Sequence, residues 1–132
     1  MTFHQEISST FENVDAASAV ISGFLINECH LQNNKLRFLI VFALKELLNN
    51  AVEHGNKMDK NKKVIYDFSC DQDEICIDIY DEGNGYKLND MLLNNDTTTI
   101  DRERSRGIVL IQEIGFNLLV NANHVQAKYK LV

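Results

Sequence analysis

The sequence predicts an α+β fold: a two-layer α/β sandwich with helices on one face of a mostly antiparallel sheet. The helical stretches come as a group near the start, and the late strand-like runs meet through tight turns. The chain also has 132 residues, no proline, no internal repeat and no low-complexity linker, which fits one domain over residues 1–132.

The elements follow in order. Residues 4–9 read as a short first strand. Asn13 or Asp15 is placed to cap a helix running to about residue 30, with Ala16, Ala19, Val20, Phe24 and Ile26 among its apolar positions. Asn33 or Asn34 caps a second helix, which runs to His54 and stops at Gly55-Asn56, a C-cap signal. A polar connection follows, with Lys57, Lys60, Lys62 and Lys63. Its ordinary reading is a solvated loop, and its alternative a patch for acidic partners. Residues 64–70 and 75–80 read as strands around an Asp71-Gln72-Asp73-Glu74 turn, and Gly83-Asn84-Gly85 ends the second. Residues 87–105 form a long polar stretch with room for a short helix over 89–93. Residues 107–114 read as a compact helix ended by Gly115, and 118–121 with 125–131 as a last hairpin.

Composition narrows the function. Hydrophobic residues make up 45% and charged residues 24%, the balance of a folded globular chain able to bury roughly two-thirds of its unfolded surface. Nineteen acids against thirteen bases give a net charge of −6, which argues against a nucleic-acid coat or an anionic membrane surface as partner. It does not exclude a small anion held by a few local groups. Cys29, Cys70 and Cys76 show no C-x-x-C spacing. With no secretory signal they fit free, packed thiols in a reducing cytoplasm, without a chemical role. The longest apolar run, residues 38–44, is far too short to span a bilayer.

Three places carry chemistry. The second helix is apolar almost all round in its first half, then carries Lys45, Glu46, Asn49, Asn50 and Glu53. Glu46, Asn50 and His54 are four apart and so stack on one face. The ordinary reading is a solvated helix end. The functional one is a wet cavity in which a carboxylate orients a nucleophile and a carboxamide oxygen helps hold Mg2+. Next, Asp81-Glu82-Gly83-Asn84-Gly85 follows a strand directly. A turn explains the glycines, but an ionised aspartate there also accepts from an exocyclic amino group such as that of adenine. Third, Ser105-Arg106-Gly107-Ile108 opens the short helix behind Arg102 and Arg104. A helix N-terminus offers free N–H groups to an anion, while the arginines alone are a solvated charge run. No G-x-x-x-x-G-K-[ST] motif is present, so this is not a P-loop.

The order and spacing of Glu46-x-x-x-Asn50-Ala51-x-x-His54-Gly55, Asp81-x-Gly83-x-Gly85 and Arg106-Gly107-Ile108-x-Leu110-Ile111 resemble the three nucleotide-binding boxes of the GHKL ATPases. In detail they look like the anti-sigma-factor serine kinases of bacterial partner-switching systems, the RsbW and SpoIIAB type, over essentially the whole chain. The resemblance implies the Bergerat ATP-binding fold, with ATP and Mg2+ as cofactors. It implies Asn50 as Mg2+ ligand, Glu46 as general base, and Asp81 as acceptor for the adenine amino group. Gly83 and Gly85 would shape the pocket floor. His54, Arg104, Ser105, Arg106, Gly107 and Ile108 would belong to the nucleotide site, and residues from about 88 to 106 to an ATP lid. It further implies a serine or threonine of a STAS-domain anti-anti-sigma protein as phosphoacceptor, a sigma factor as sequestered partner, and a kinase homodimer. Two positions depart from the pattern. Ser105 replaces the first glycine of the third box, and the last hairpin lacks the usual Gly-Thr pair, with His124, Val125 and Gln126 in its place. Gln126 stands where it can replace a threonine hydroxyl beside the base. Two alternatives stay open: a non-catalytic nucleotide-binding regulator acting only through protein partners, and a histidine-kinase-like catalytic domain served by a separate phosphotransfer partner.

Overall fold

A computed structural model describes residues 1–83 and 99–132, excluding the side chains of residues 99–105. The elements are β1 (Thr2–Ser8), α1 (Phe11–Asn27), α2 (Asn34–Asn50) running directly into a single π-helical turn (Ala51–Gly55), β2 (Lys63–Cys70), β3 (Glu74–Tyr80), α3 (Thr99–Ile114), β4 (Asn117–Asn121) and β5 (His124–Lys130). The strands form one open sheet in the order β1-β2-β3-β5-β4, and every neighbouring pair is antiparallel. This is the α+β sandwich that the sequence predicts. The proposed short helix over 89–93 and Gly85 lie outside the described residues.

Period-two alternation decides which sheet face is covered. Val64, Tyr66 and Phe68 of β2, and Ile75, Ile77 and Ile79 of β3, point inward and are at most 1% exposed. The helices lay Ile21, Leu25, Ile40, Leu44, Leu47 and Leu48 against them, each at most 2% exposed. On α1 the buried stripe is Val14, Ala17, Ile21 and Leu25. Ala16, Ala19, Val20 and Ile26 face away from the core.

Several boundaries differ from those read in the sequence. Thr10, not Asn13 or Asp15, caps α1: its backbone is extended and its Oγ1 accepts from Asn13 N–H at 3.2 Å. Asp15 instead pairs with Lys45 across to α2 at 2.9 Å. The helix ends at Asn27 rather than near residue 30. Asn33 caps α2 as expected, accepting from Leu36 N–H at 3.0 Å. The last helix starts at Thr99, eight residues before Gly107. Its first turns are polar, so no apolar stripe announces them.

Two cysteine expectations are also overturned. Cys29 and Cys70 form a disulfide that ties the end of α1 to the end of β2, and only Cys76 is a free thiol. The outer face of the sheet is polar and partly ion-paired. His4 contacts Asp67, whose register partner is Asp78, and His124 Nε2 lies 2.6 Å from Asp78 Oδ1. Gln126 donates to the same oxygen at 3.1 Å. Gln126 therefore sits on the far face of the sheet, and the suggestion that it stands in for a hydroxyl beside the base is withdrawn. The alternation of β5 puts Val125 and Ala127 inward and Gln126 out. Among the described residues, no helix is long and apolar enough to cross a membrane.

The capping assignment has a direct check. Thr10→Ala lowers stability by about 1 kcal/mol in urea denaturation, while Asp15→Ala changes it by less than about 0.5 kcal/mol. The reverse order would return the cap to Asp15.

Candidate active site at the end of the second helix

Helix α2 buries its apolar face on the sheet and delivers its polar end to one edge of the core. Glu46 and Asn50 are one turn apart; Asn50 is 6% exposed and Glu46 is half-buried. After Asn50 the helix widens. Asn56 N–H bonds back to Ala51 O at 2.8 Å, an i→i+5 link. His54 lies in the turn, its Nε2 4.0 Å from Glu53 Oε2.

The widened turn brings Gly55 against the loop after β3. A Cβ on Gly55 would lie 2.3 Å from Asp81 Oδ2, and one on Gly83 would lie 2.1 Å from Gly55 O. Neither distance is possible for real atoms, so glycine at 83 lets the two backbones touch and glycine at 55 leaves room for the Asp81 carboxylate. Asp81 is 7% exposed. Its Oδ1 accepts from Gly83 N–H at 2.8 Å, and Gly55 leaves the space that Oδ2 fills.

Helix α3 closes the other side. A Cβ on Gly107 would meet Glu46 Oε2 at 2.4 Å, so the α3 backbone covers the Glu46 carboxylate. Gly107 is thus an interior helical residue, and the expected anion site at a helix start over residues 105–108 is overturned, because their N–H groups lie inside α3. Ile108 is fully buried and Arg106 is exposed. The side chains of Arg102, Arg104 and Ser105 are not among those described, and most of the proposed lid lies in residues 84–98, also outside them.

Among the described residues, three buried side-chain atoms lack a hydrogen-bond partner: Asn49 Oδ1, Asn50 Nδ2 and Asp81 Oδ2. All three belong to the α2 end and the loop that meets it. Buried side-chain polar atoms elsewhere among the described residues are satisfied, as is usual, so this end of α2 and the loop it meets are the candidate ligand site. Burial also raises the carboxyl pKa values of Glu46 and Asp81 above their ordinary values of 4.5 and 3.8. The nearby Lys45 charge partly offsets this at Glu46, and the Gly83 hydrogen bond does so at Asp81. A carboxylate with raised proton affinity beside an unpartnered carboxamide suits proton abstraction next to a bound phosphate.

Two residues of the site were not singled out in the sequence. Asn56 is fully buried and donates to Ser9 Oγ and Lys63 O at 2.8 and 2.9 Å. Asn123, in the β4–β5 turn, donates to Gly83 O at 2.6 Å. In sequence both read as punctuation, a helix stop and a hairpin turn, and nothing local distinguishes them.

The histidine kinase-like ATPase domain family matches residues 7–122, and the chain belongs to that family. ATP binding comes with that membership. Among curated proteins, none matches the chain. Among solved structures, the histidine kinase domain from Erythrobacter litoralis EL346 blue-light activated histidine kinase is similar at 20% identity and a TM-score of 0.45. The similarity covers 71% of this chain and 43% of that one, so the chain spans less than half of that domain's length.

The two glycine contacts differ in what must give way. Gly83→Ala meets backbone and costs about 2 kcal/mol or more in chemical denaturation. Gly107→Ala meets the end of a flexible side chain, and its stability stays within about 1 kcal/mol because alanine also favours the helix. Equal losses would mean that the Gly55–Gly83 contact is not a constraint.

Asp81 gives a pH signature. Its raised pKa means that the folded chain binds the proton more readily than the unfolded one, so stability falls as pH rises through that range. At neutral pH the buried carboxylate is a net cost. Asp81→Asn is therefore expected to stabilise the ligand-free protein near pH 7, with the gain vanishing below the ordinary carboxyl value of 3.8. Urea denaturation at both pH values reads this, and a loss of stability near pH 7 would contradict it.

Proposed function

We propose that this chain is an ATP-dependent protein serine/threonine kinase of the anti-sigma-factor type, acting on a hydroxyl of a STAS-domain anti-anti-sigma protein. The observation that carries the reading is that the unpartnered buried atoms belong to Asn49 and Asn50, at the end of the helix that carries Glu46, and to Asp81, in the loop that meets that end. The order of the motifs over the chain supports the finer subtype.

In this reading Asp81 Oδ2 accepts from the adenine amino group, and Asn50 holds Mg2+. The fit at Asn50 rests on its buried carboxamide, one end of which has no partner; amide oxygen and nitrogen are interchangeable by a flip. A magnesium ion there would neutralise charge on the phosphate oxygens. Glu46 takes the proton from the substrate hydroxyl as its oxygen bonds to the γ-phosphorus. The bond from that phosphorus to the β–γ bridging oxygen breaks and ADP leaves. Little covalent work falls to the protein, so holding Glu46 in place is its main contribution. Gly107 assists by letting α3 cover the carboxylate, which raises its proton affinity. A lid arginine, Arg102 or Arg104, stabilises charge on the transferring group. A sigma factor as second partner and a kinase homodimer belong to the same proposal.

The test incubates purified protein with γ-labelled ATP, Mg2+ and a panel of STAS-domain proteins. Acid-stable label on a STAS serine or threonine is expected. Glu46→Gln should lower transfer by about a hundredfold or more while changing ATP affinity by less than about threefold. Acid-labile label on a partner histidine would replace this reading with the histidine-kinase-like one, which the family's description fits equally. ATP binding without transfer to any acceptor would leave a nucleotide-binding regulator.

A further inference from the structure

The loop Asp81-Glu82-Gly83 has three backbone N–H groups and three carbonyls, and two asparagines account for most of them. Asp81 N–H donates to Asn123 O at 3.1 Å, and Glu82 N–H donates to Asn56 Oδ1 at 2.7 Å. The Asp81 and Gly83 carbonyls both accept from Asn123 Nδ2, at 3.2 and 2.6 Å. Gly83 N–H goes to the Asp81 carboxylate itself.

Each clamp is anchored elsewhere. Asn56 Nδ2 is fixed to Ser9 Oγ and Lys63 O, at the end of β1 and the start of β2. Asn123 is followed by His124, which is held by Asp78 and stacked on Tyr80 with ring centroids 4.3 Å apart. Asn123 uses both of its amide hydrogens on the bend. An aspartate of the same shape has none to offer, and a shorter side chain cannot reach.

The bend in turn sets the Asp81 side chain. One oxygen is tied to Gly83 N–H, so the other occupies the space that Gly55 leaves free and has no partner among the described residues. A buried acceptor discriminates between donor and acceptor ligands only while its position is held.

We propose that Asn123, backed by Asn56, is a specificity-determining positioning residue: it holds the bend so that Asp81 Oδ2 meets a 6-amino purine and rejects a 6-oxo purine. The inference rests on the ATP-site reading above and adds the residue that sets base choice within it.

The test measures affinities for ATP and inosine triphosphate, with Mg2+, in the natural chain, Asn123→Asp and Asn123→Ala. Amide hydrogen exchange at Gly83 is followed in the ligand-free proteins. Both variants should lower the ATP-to-inosine triphosphate affinity ratio by roughly tenfold or more and speed Gly83 exchange selectively. Asn56→Ala should do the same, though with a larger loss of stability because that residue is fully buried. A purely structural role would weaken both nucleotides alike and leave the ratio unchanged, and that result overturns the proposal. So does a changed ratio without faster Gly83 exchange. If the natural chain binds neither nucleotide, the ATP-site reading fails and the base-choice role falls with it, while Gly83 exchange still reports whether the clamp exists.

Discussion

The candidate site depends on one close approach, in which the widened end of α2 touches the loop after β3. Gly55 and Gly83 make that contact, and a methyl group on either would drive into the other segment. The contact joins two parts of the chain that carry different chemistry. One brings Glu46 and Asn50 from the helix, and the other brings Asp81 from the sheet. Separated by even a Cβ, they would form two unrelated polar patches on the rim of the core.

The approach is possible because the rest of the molecule leaves little else to adjust. Leu44, Leu47 and Leu48 fix the roll of α2 on the sheet, each at most 2% exposed. The π turn then accommodates one extra residue without breaking the run of backbone hydrogen bonds. Polar groups are left unsatisfied at this junction and are satisfied around it, so local stability is lower where a ligand can supply the missing partners.

Much of this was readable from residue order. The apolar first half of α2 and its abrupt polar end point to a helix that serves both core and site, and the placement of Asp81 after an alternating strand locates the loop. Gln126 was misplaced beside the base, although alternation along β5 assigns it to the outer face. Other features leave no local trace. The π turn depends on what the helix end meets in space, not on its composition. The start of α3 is polar and shows no stripe until Gly107, so periodicity misplaced a helix boundary and with it an expected anion site. The Cys29–Cys70 bond joins residues 41 apart, a pairing that no spacing rule reveals. Asn56 and Asn123 act through backbone groups of a distant loop, and neither has a neighbour in sequence that hints at it.

The cover that Gly107 gives Glu46 has a thermodynamic consequence. Burial under the α3 backbone raises the proton affinity of the carboxylate, so by reciprocity protonation of Glu46 favours the seated position of α3. Ionised, the same group bears the cost of that burial. A group that accepts a proton beneath this helix tightens its own cover, and one that gives the proton up loosens it.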